Sequence, residues 1–237
     1  MVLVGRRRLA CRLRSLAVAA VMTCCAACGG NAHEGSRRPA PASASTSRER
    51  VEQHLRLPEG SLTDVVTYTD AVVLMSVDRD TEMPPTPGES ARGSGLTGRR
   101  IRVHVTPVWR RRGGPTLPSS FAYTTVGWFF DHGRRTPASV GDGPRLEVGR
   151  DYLVPLARFR PGDWGPLESQ AVPVLQGRVD GGGADPQNPL LALVRGGDLR
   201  NLASTLDRIP PDPRAAAFMA LDPEARLRAV NQTKPAD

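Results

Sequence analysis

The chain has 237 residues with 39% hydrophobic and 5% aromatic content, enough for one core of ordinary size with additional tails. Its formal net charge is +8, but five arginines lie within the first 14 residues, and without them the charge falls to +3. A net charge of +3 is too small to predict nucleic-acid binding on electrostatic grounds. All four cysteines lie in the first 28 residues, which excludes disulfides and cysteine-ligated metal sites elsewhere.

Residues 1–27 have the pattern of a secretory signal peptide. Basic residues come first, a short apolar run follows over residues 15–27, and small residues precede Cys28. The run is shorter than the roughly 20 apolar residues of a comfortable membrane span, so a retained membrane helix is the weaker alternative. We therefore predict export of the mature chain.

The end of this segment, Ala26-Ala27-Cys28-Gly29-Gly30, resembles the lipobox of bacterial lipoproteins. The resemblance implies that Cys28 becomes the first mature residue and carries a diacylglycerol thioether. The chain would then be held by its lipid at the extracytoplasmic face of the cell membrane. Cys25 stands where that family has leucine, and Cys24 is a competing site. Secretion without an anchor remains an alternative.

Composition divides the remaining chain into three parts. Residues 28–60 would form a lipidated N-terminus and a flexible tether, because proline, alanine, serine and charge predominate up to about residue 50. Residues 61–180 are rich in β-formers and turns, and they form the predicted β domain. Residues 181–237 change to helical spacing, as in Leu199, Leu202 and Leu206, which predicts a helical C-terminal tail.

The central strand is predicted over residues 100–109, where Ile101, Val103 and Val105 alternate with polar residues. Before it, Ser61 is expected to cap a short helix. Pro107 and Gly127 are expected at a bulge, edge or break. The other predicted strands cover residues 71–77, 120–130, 146–156 with a turn at Gly149, and 172–179. Long loops are predicted over residues 78–98 and 131–145.

The segments Tyr68–Val73, Ile101–Trp109 and Val148–Leu156, with Trp164, resemble a loose class of actinobacterial secreted lipoproteins that contain an OB-like domain. The resemblance implies a mainly β fold: a small OB-like β-barrel of about five strands, with an open sandwich as the rival. It brings no catalytic or ligand-binding residues with it.

We predict no catalytic, cofactor or metal site and therefore no enzyme. The four histidines lack ligand spacing and no nucleophile motif is present. Arginines near the central strand could bind phosphate or carboxylate groups, and an ordinary solvated face is the alternative. The candidate anion-binding residues are Arg100, Arg102, Arg110, Arg111 and Arg112.

The sequence thus predicts a membrane-anchored envelope lipoprotein that acts as a binding or scaffolding module. Its expected partners are the membrane, through the lipid, and anionic envelope polymers or lipid headgroups, with no nucleic acid. A secreted hydrolase-type enzyme with an unrecognised site is the alternative. A ligand-sized pocket with converging carboxylates would favour the enzyme, and a filled barrel with a charged outer face would favour the module.

Overall fold

A computed structural model describes residues 57–180, 182–195 and 199–233, together with the backbone of residues 49–51. The predicted signal peptide, the lipid site at Cys28 and the first part of the tether lie outside these residues. Among the helices described, none has both the length and the apolar character needed to cross a membrane.

Strands are the main elements of the described residues. They are β1 (Glu49–Val51), β2 (Ala71–Glu82), β3 (Ser94–Arg110), β4 (Ser120–Asp131), β5 (Arg134–Val140), β6 (Asp151–Arg160), β7 (Asp163–Pro166), β8 (Val172–Leu175) and β9 (Arg178–Val179). The α-helices are α1 (Leu62–Tyr68), α2 (Pro87–Arg92), α3 (Pro189–Val194), α4 (Leu202–Leu206) and α5 (Pro223–Gln232). Short 3-10 helices cover Glu168–Gln170, Leu199–Asn201 and Pro213–Phe218.

Strands β2 to β9 form one antiparallel sheet, with β1 added in parallel beside β5. The order is β5-β4-β3-β2-β6-β8-β9, and β7 pairs with β6 next to β8. Although three strands separate β4 from β7 in the sheet, their Cα atoms come within 8 Å of each other. The sheet therefore curls strongly, yet no ladder joins β4 to β7 and it does not close. The predicted mainly β class is confirmed, with more strands than the five expected.

The concave side of the sheet holds the main core. Ile101, Val103 and Val105 of β3 are buried there, as their alternation predicted, and they pack with β2, β6 and Trp164 of β7. The pleat places the intervening Arg100 and Arg102 on the convex side.

Helices cover part of the convex side. Leu202 and Leu206 of α4 join a buried cluster with Trp109 and Leu153 of the sheet. The Trp109 indole N–H also donates to Asp207 Oδ1 at 2.9 Å. The predicted helical tail is thus packed against the β domain, and it includes α3, which the sequence did not indicate.

The predicted loop over residues 78–98 is wrong. Strand β2 continues to Glu82, after a bulge at Asp78, because its second half pairs with the first half of β3. Helix α2 follows, with Thr86 and Glu89 forming a reciprocal capping box. Only residues 83–86 and Gly93 are irregular.

The predicted loop over residues 131–145 is wrong over residues 134–140, which form β5, whereas residues 141–145 are irregular as predicted. β4 turns back into β5 through His132 and Gly133, whose φ angles are 44° and 88°. Two successive positive φ angles make the tight turn that suits the twist of a β-hairpin. Trp164, which lies outside the predicted strands, belongs to β7.

Both expected irregularities are confirmed. The β2–β3 register shifts next to Pro107, and Gly127 is the extra residue where the β3–β4 register shifts. A Cβ atom at Gly127 would lie 2.8 Å from the carbonyl oxygen of Thr97, so only glycine fits this bulge without displacement of the partner strand.

Candidate functional site

The structure brings together two of the five candidate arginines. Arg100 and Arg102 are exposed on the convex face of β3, with His104 next along the same face. Within the described residues, neither guanidinium has a carboxylate oxygen within 4.0 Å. Among the described residues, this part of the strand is therefore a cationic surface without an ion pair of its own.

Arg79 belongs to the same surface and was missed from the sequence. It lies directly opposite Arg102 across the β2–β3 ladder, and it is exposed. Like charges directly opposite each other in a sheet are unfavourable. It was missed because residue 79 lies in the segment 78–98 that the sequence predicts as a loop, whereas β2 extends to Glu82. We call Arg79, Arg100 and Arg102 the convex arginines.

The other three candidates lie at the far end of β3. The bulge next to Pro107 places Arg110 opposite Ala71, whose side chain is in the concave core, and Arg110 donates to the carbonyl of Pro115 at 2.9 Å. Arg112 is exposed in the turn that follows. Eight residues of strand, about 26 Å, separate Arg102 from Arg110. The set is thus not one site.

Arg111 serves the fold. Its side chain is only 10% exposed and forms an ion pair with Asp70 at 2.9 Å. It also donates to the carbonyl of Met219 at 2.8 Å, which ties the start of β2 to the C-terminal tail. A guanidinium held by these two partners has little capacity left for an external anion.

A cleft of about 640 Å³ lies along the open seam between β4 and β7. The seam exists because β5 pairs only with Trp128–Asp131 of β4, which leaves the edge from Ser120 to Gly127 without a ladder. The lining comes from the segment before α1, from β3 to β7 and from the 3-10 helix that follows β7. The lining residues are Leu57, Glu59, Arg100, Ala122, Tyr123, Thr124, Thr125, Val140, Phe159, Asp163, Trp164, Gly165, Pro166, Leu167, Glu168 and Ser169.

Glu168 is the buried carboxyl on one side of this cleft. Burial raises its pKa above the ordinary value, and the Thr125 hydroxyl, the Arg99 guanidinium, the Tyr123 hydroxyl and Arg145 oppose the shift. Burial also raises the pKa of Tyr123 well above its ordinary value, and the Glu168 carboxyl adds to this. The Thr125 and Tyr123 hydroxyls lie beside Glu168 but lack a well-formed hydrogen bond.

Glu59 is the second buried carboxyl. Its Oε1 accepts a hydrogen bond from Ser169 Oγ at 2.5 Å, while its Oε2 is buried without a partner in the described residues. Burial raises the pKa of Glu59, and the bond from Ser169 opposes that shift. Glu59 and Glu168 both line the cleft. Sequence reasoning missed Glu59 because this residue lies in the predicted tether.

Glu168→Gln is expected to remove part of the loss of stability at rising pH. Because burial raises the pKa of Glu168 above 4.5, the folded state binds this proton more tightly than the unfolded state. The stabilisation that this bound proton gives to the folded state is fully present below pH 4.5, and it is lost as the pH rises through the raised pKa of Glu168. Melting temperatures between about pH 4 and pH 8 should therefore fall less for the variant than for the native chain. The half-exposed Glu147→Gln is the control, and equal slopes in all three chains would contradict the assignment.

In the part of the chain that the structure describes, no group of three or more His, Cys, Asp or Glu side chains could hold a metal ion. Comparison of the chain with protein-family models, with curated proteins and with solved structures found no match.

Proposed function

We propose that this chain is a lipid-anchored envelope protein whose β domain binds anionic polymers or lipid headgroups through the convex arginines. The lipid on Cys28 and a flexible tether would keep the domain within reach of the membrane surface. The resemblance to OB-like barrels is part of the same proposal, supported by the strong curvature of the antiparallel sheet.

The observation that carries the proposal is the placement of the convex arginines. Arg79 and Arg102 are direct cross-strand neighbours, and Arg100 lies two residues away on the same face. Three cations on adjacent strands repel one another unless anions or acidic side chains neutralise them. Guanidinium groups bind phosphate and carboxylate oxygens in bidentate geometry, so an anionic polymer or headgroup layer fits this surface.

The charge reversal Arg100→Glu with Arg102→Glu is expected to abolish this association. Co-sedimentation with anionic vesicles and with wall fragments should show at least tenfold weaker binding than for the native chain, whose own binding should fall steeply with added salt. Arg110→Glu with Arg112→Glu is the matched control, because it changes the net charge equally at the far end of β3.

Two results would contradict the proposal. Equal loss in both double variants would mean that only total charge matters. Binding that resists both salt and substitution would place the contact elsewhere on the molecule.

A secreted hydrolase is the second candidate, favoured by one observation. Glu59 and Glu168 are two carboxyls with raised pKa values in one ligand-sized cleft, and such groups can serve as general acids or bases. If the chain hydrolyses chromogenic glycosides or esters, Glu168→Gln should reduce the rate at least a hundredfold. Absence of turnover on both substrate classes would argue against this candidate.

A further inference from the structure

We propose that the cleft between β4 and β7 binds a neutral, hydroxyl-rich ligand, a sugar or another polyol. The inference goes beyond the proposed association with envelope anions, since it concerns the seam of the sheet. It applies whether the bound molecule is only held or is also turned over.

Several buried polar atoms around the cleft lack a hydrogen-bond partner in the part of the chain that the structure describes. Glu59 Oε2, the Tyr123 hydroxyl and the Thr125 Oγ1 are all buried and lack a hydrogen bond within the described residues. Buried polar groups are nearly always paired, and the described residues offer these hydroxyls only the Glu168 carboxyl and offer Glu59 Oε2 no partner, so a ligand can supply the remaining hydrogen bonds. A ligand hydroxyl can both donate to a carboxylate and accept from a hydroxyl, which matches this mixture of groups.

The cleft carries both positive and negative side chains. The positive charges of Arg99 and Arg145 act on the Glu168 carboxyl, and Arg100 is part of the cleft lining. These cations oppose a positively charged ligand. The carboxyls of Glu59, Glu168 and Asp163 oppose a negatively charged one. A neutral ligand that offers many hydrogen bonds avoids both penalties.

The size of the cleft and the apolar part of its lining also suit a sugar. A volume of about 640 Å³ is within the range of about 300–1,000 Å³ that is usual for small-molecule sites. Phe159 and the buried Trp164 provide apolar surface beside the polar groups. Sugars present this combination of hydroxyl edges and C–H faces, so they are the natural class of probe.

The test is a titration of the full chain, purified in detergent, with glucose, N-acetylglucosamine and maltose, followed by calorimetry and saturation-transfer NMR. Glucosamine and glucose 6-phosphate serve as cationic and anionic comparators. At least one neutral sugar should bind saturably, and its charged analogue at least tenfold more weakly. Glu59→Gln and Thr125→Val should each weaken binding at least tenfold, and Tyr123→Phe, which removes only the hydroxyl, provides a third variant.

Glu147→Gln and Thr106→Val are the matched controls, because both residues lie outside the cleft. These substitutions make the same chemical changes as Glu59→Gln and Thr125→Val. They should bind like the native chain, and melting curves should show every variant to be folded. The absence of saturable binding by all neutral probes would overturn the proposal. So would tighter binding of a charged comparator, or neutral-sugar binding that the folded cleft variants leave unchanged. None of these variants alters the convex arginines, so failure here is distinct from failure of the vesicle experiment.

Discussion

A chain that ends at Asp180 is expected to melt roughly 10–20 °C below the native chain while it keeps much of its β signal in circular dichroism. Truncation removes five buried apolar side chains that cover the convex face: Leu190, Leu191, Val194, Leu202 and Leu206. Each stabilises the fold by about 1.5–3 kcal/mol at full burial, so a total loss of about 5 kcal/mol is a conservative expectation. In a domain of 150–250 residues, each kcal/mol corresponds to about 2–4 °C.

The control for this truncation is a chain that ends at Thr233, which keeps all of the described tail. A point substitution gives an independent measure. Leu206→Ala, at a site 1% exposed, should cost about 2–5 kcal/mol, and Leu221→Ala, at a site 41% exposed, much less. An unchanged melting temperature after truncation would mean that the tail is an independent arm.

Arg226→Met is expected to destabilise the chain by about 3 kcal/mol, because it leaves the buried carbonyl oxygen of Thr67 and the partly buried one of Leu221 without this donor. The Arg226 side chain is fully buried and donates to the carbonyls of Thr67, Met219 and Leu221. Burial, with Arg111 nearby, lowers its pKa to about 10, so the group remains charged at neutral pH. It thereby joins α1 to the end of the tail.

Arg228→Met is the matched control for this prediction, since Arg228 is on the same helix, exposed, and about 3.8 Å from Glu224. Chemical denaturation should show a large loss for the first variant and under about 0.5 kcal/mol for the second. Arg226→Lys should recover only part of the loss, because one ammonium cannot replace a planar guanidinium fork. Similar losses in Arg226→Met and Arg228→Met would contradict the structural role of Arg226.

The central part of the fold follows from the sequence because one face of β3 is covered by apolar core. Ile101, Val103 and Val105 therefore alternate with polar residues. The same alternation places Arg99 on the core side, where it is 1% exposed, and Arg100 on the exposed side. Bulges follow from Pro107 and Gly127, since proline lacks an N–H and glycine alone tolerates the close approach.

The strand segments that were missed lack a visible alternation of apolar and polar residues. In the second half of β2, the concave position is Asp80, whose carboxylate pairs with Arg99 at 2.8 Å, so no hydrophobic alternation marks the strand. In β5, two arginines and Pro137 hide the run that ends in the buried Val140. In β2, a partly buried ion pair thus stands where an apolar residue would have marked the strand.

The cleft could not be predicted because its walls come from distant segments. Glu59 precedes the domain in sequence, Tyr123 and Thr125 come from β4, and Glu168 lies in a 3-10 helix 43 residues after Thr125. Nothing local in the sequence marks the seam, which arises only because β5 is too short to pair with all of β4. Likewise, the partners that remove Arg111 from the anion-binding set, Asp70 and Met219, are separated from it by 41 and 108 residues.

The central claim, that the chain is anchored at the cell surface through Cys28, is tested most directly by membrane fractionation of a Cys28→Ala variant. Two acyl chains give stable attachment where one is marginal, so loss of this residue should release the chain to the medium or block its processing. Cys24→Ala, at the competing site, is the control and should remain in the membrane fraction like the native chain. A Cys28→Ala chain that is processed normally and still sediments with membranes would contradict the claim.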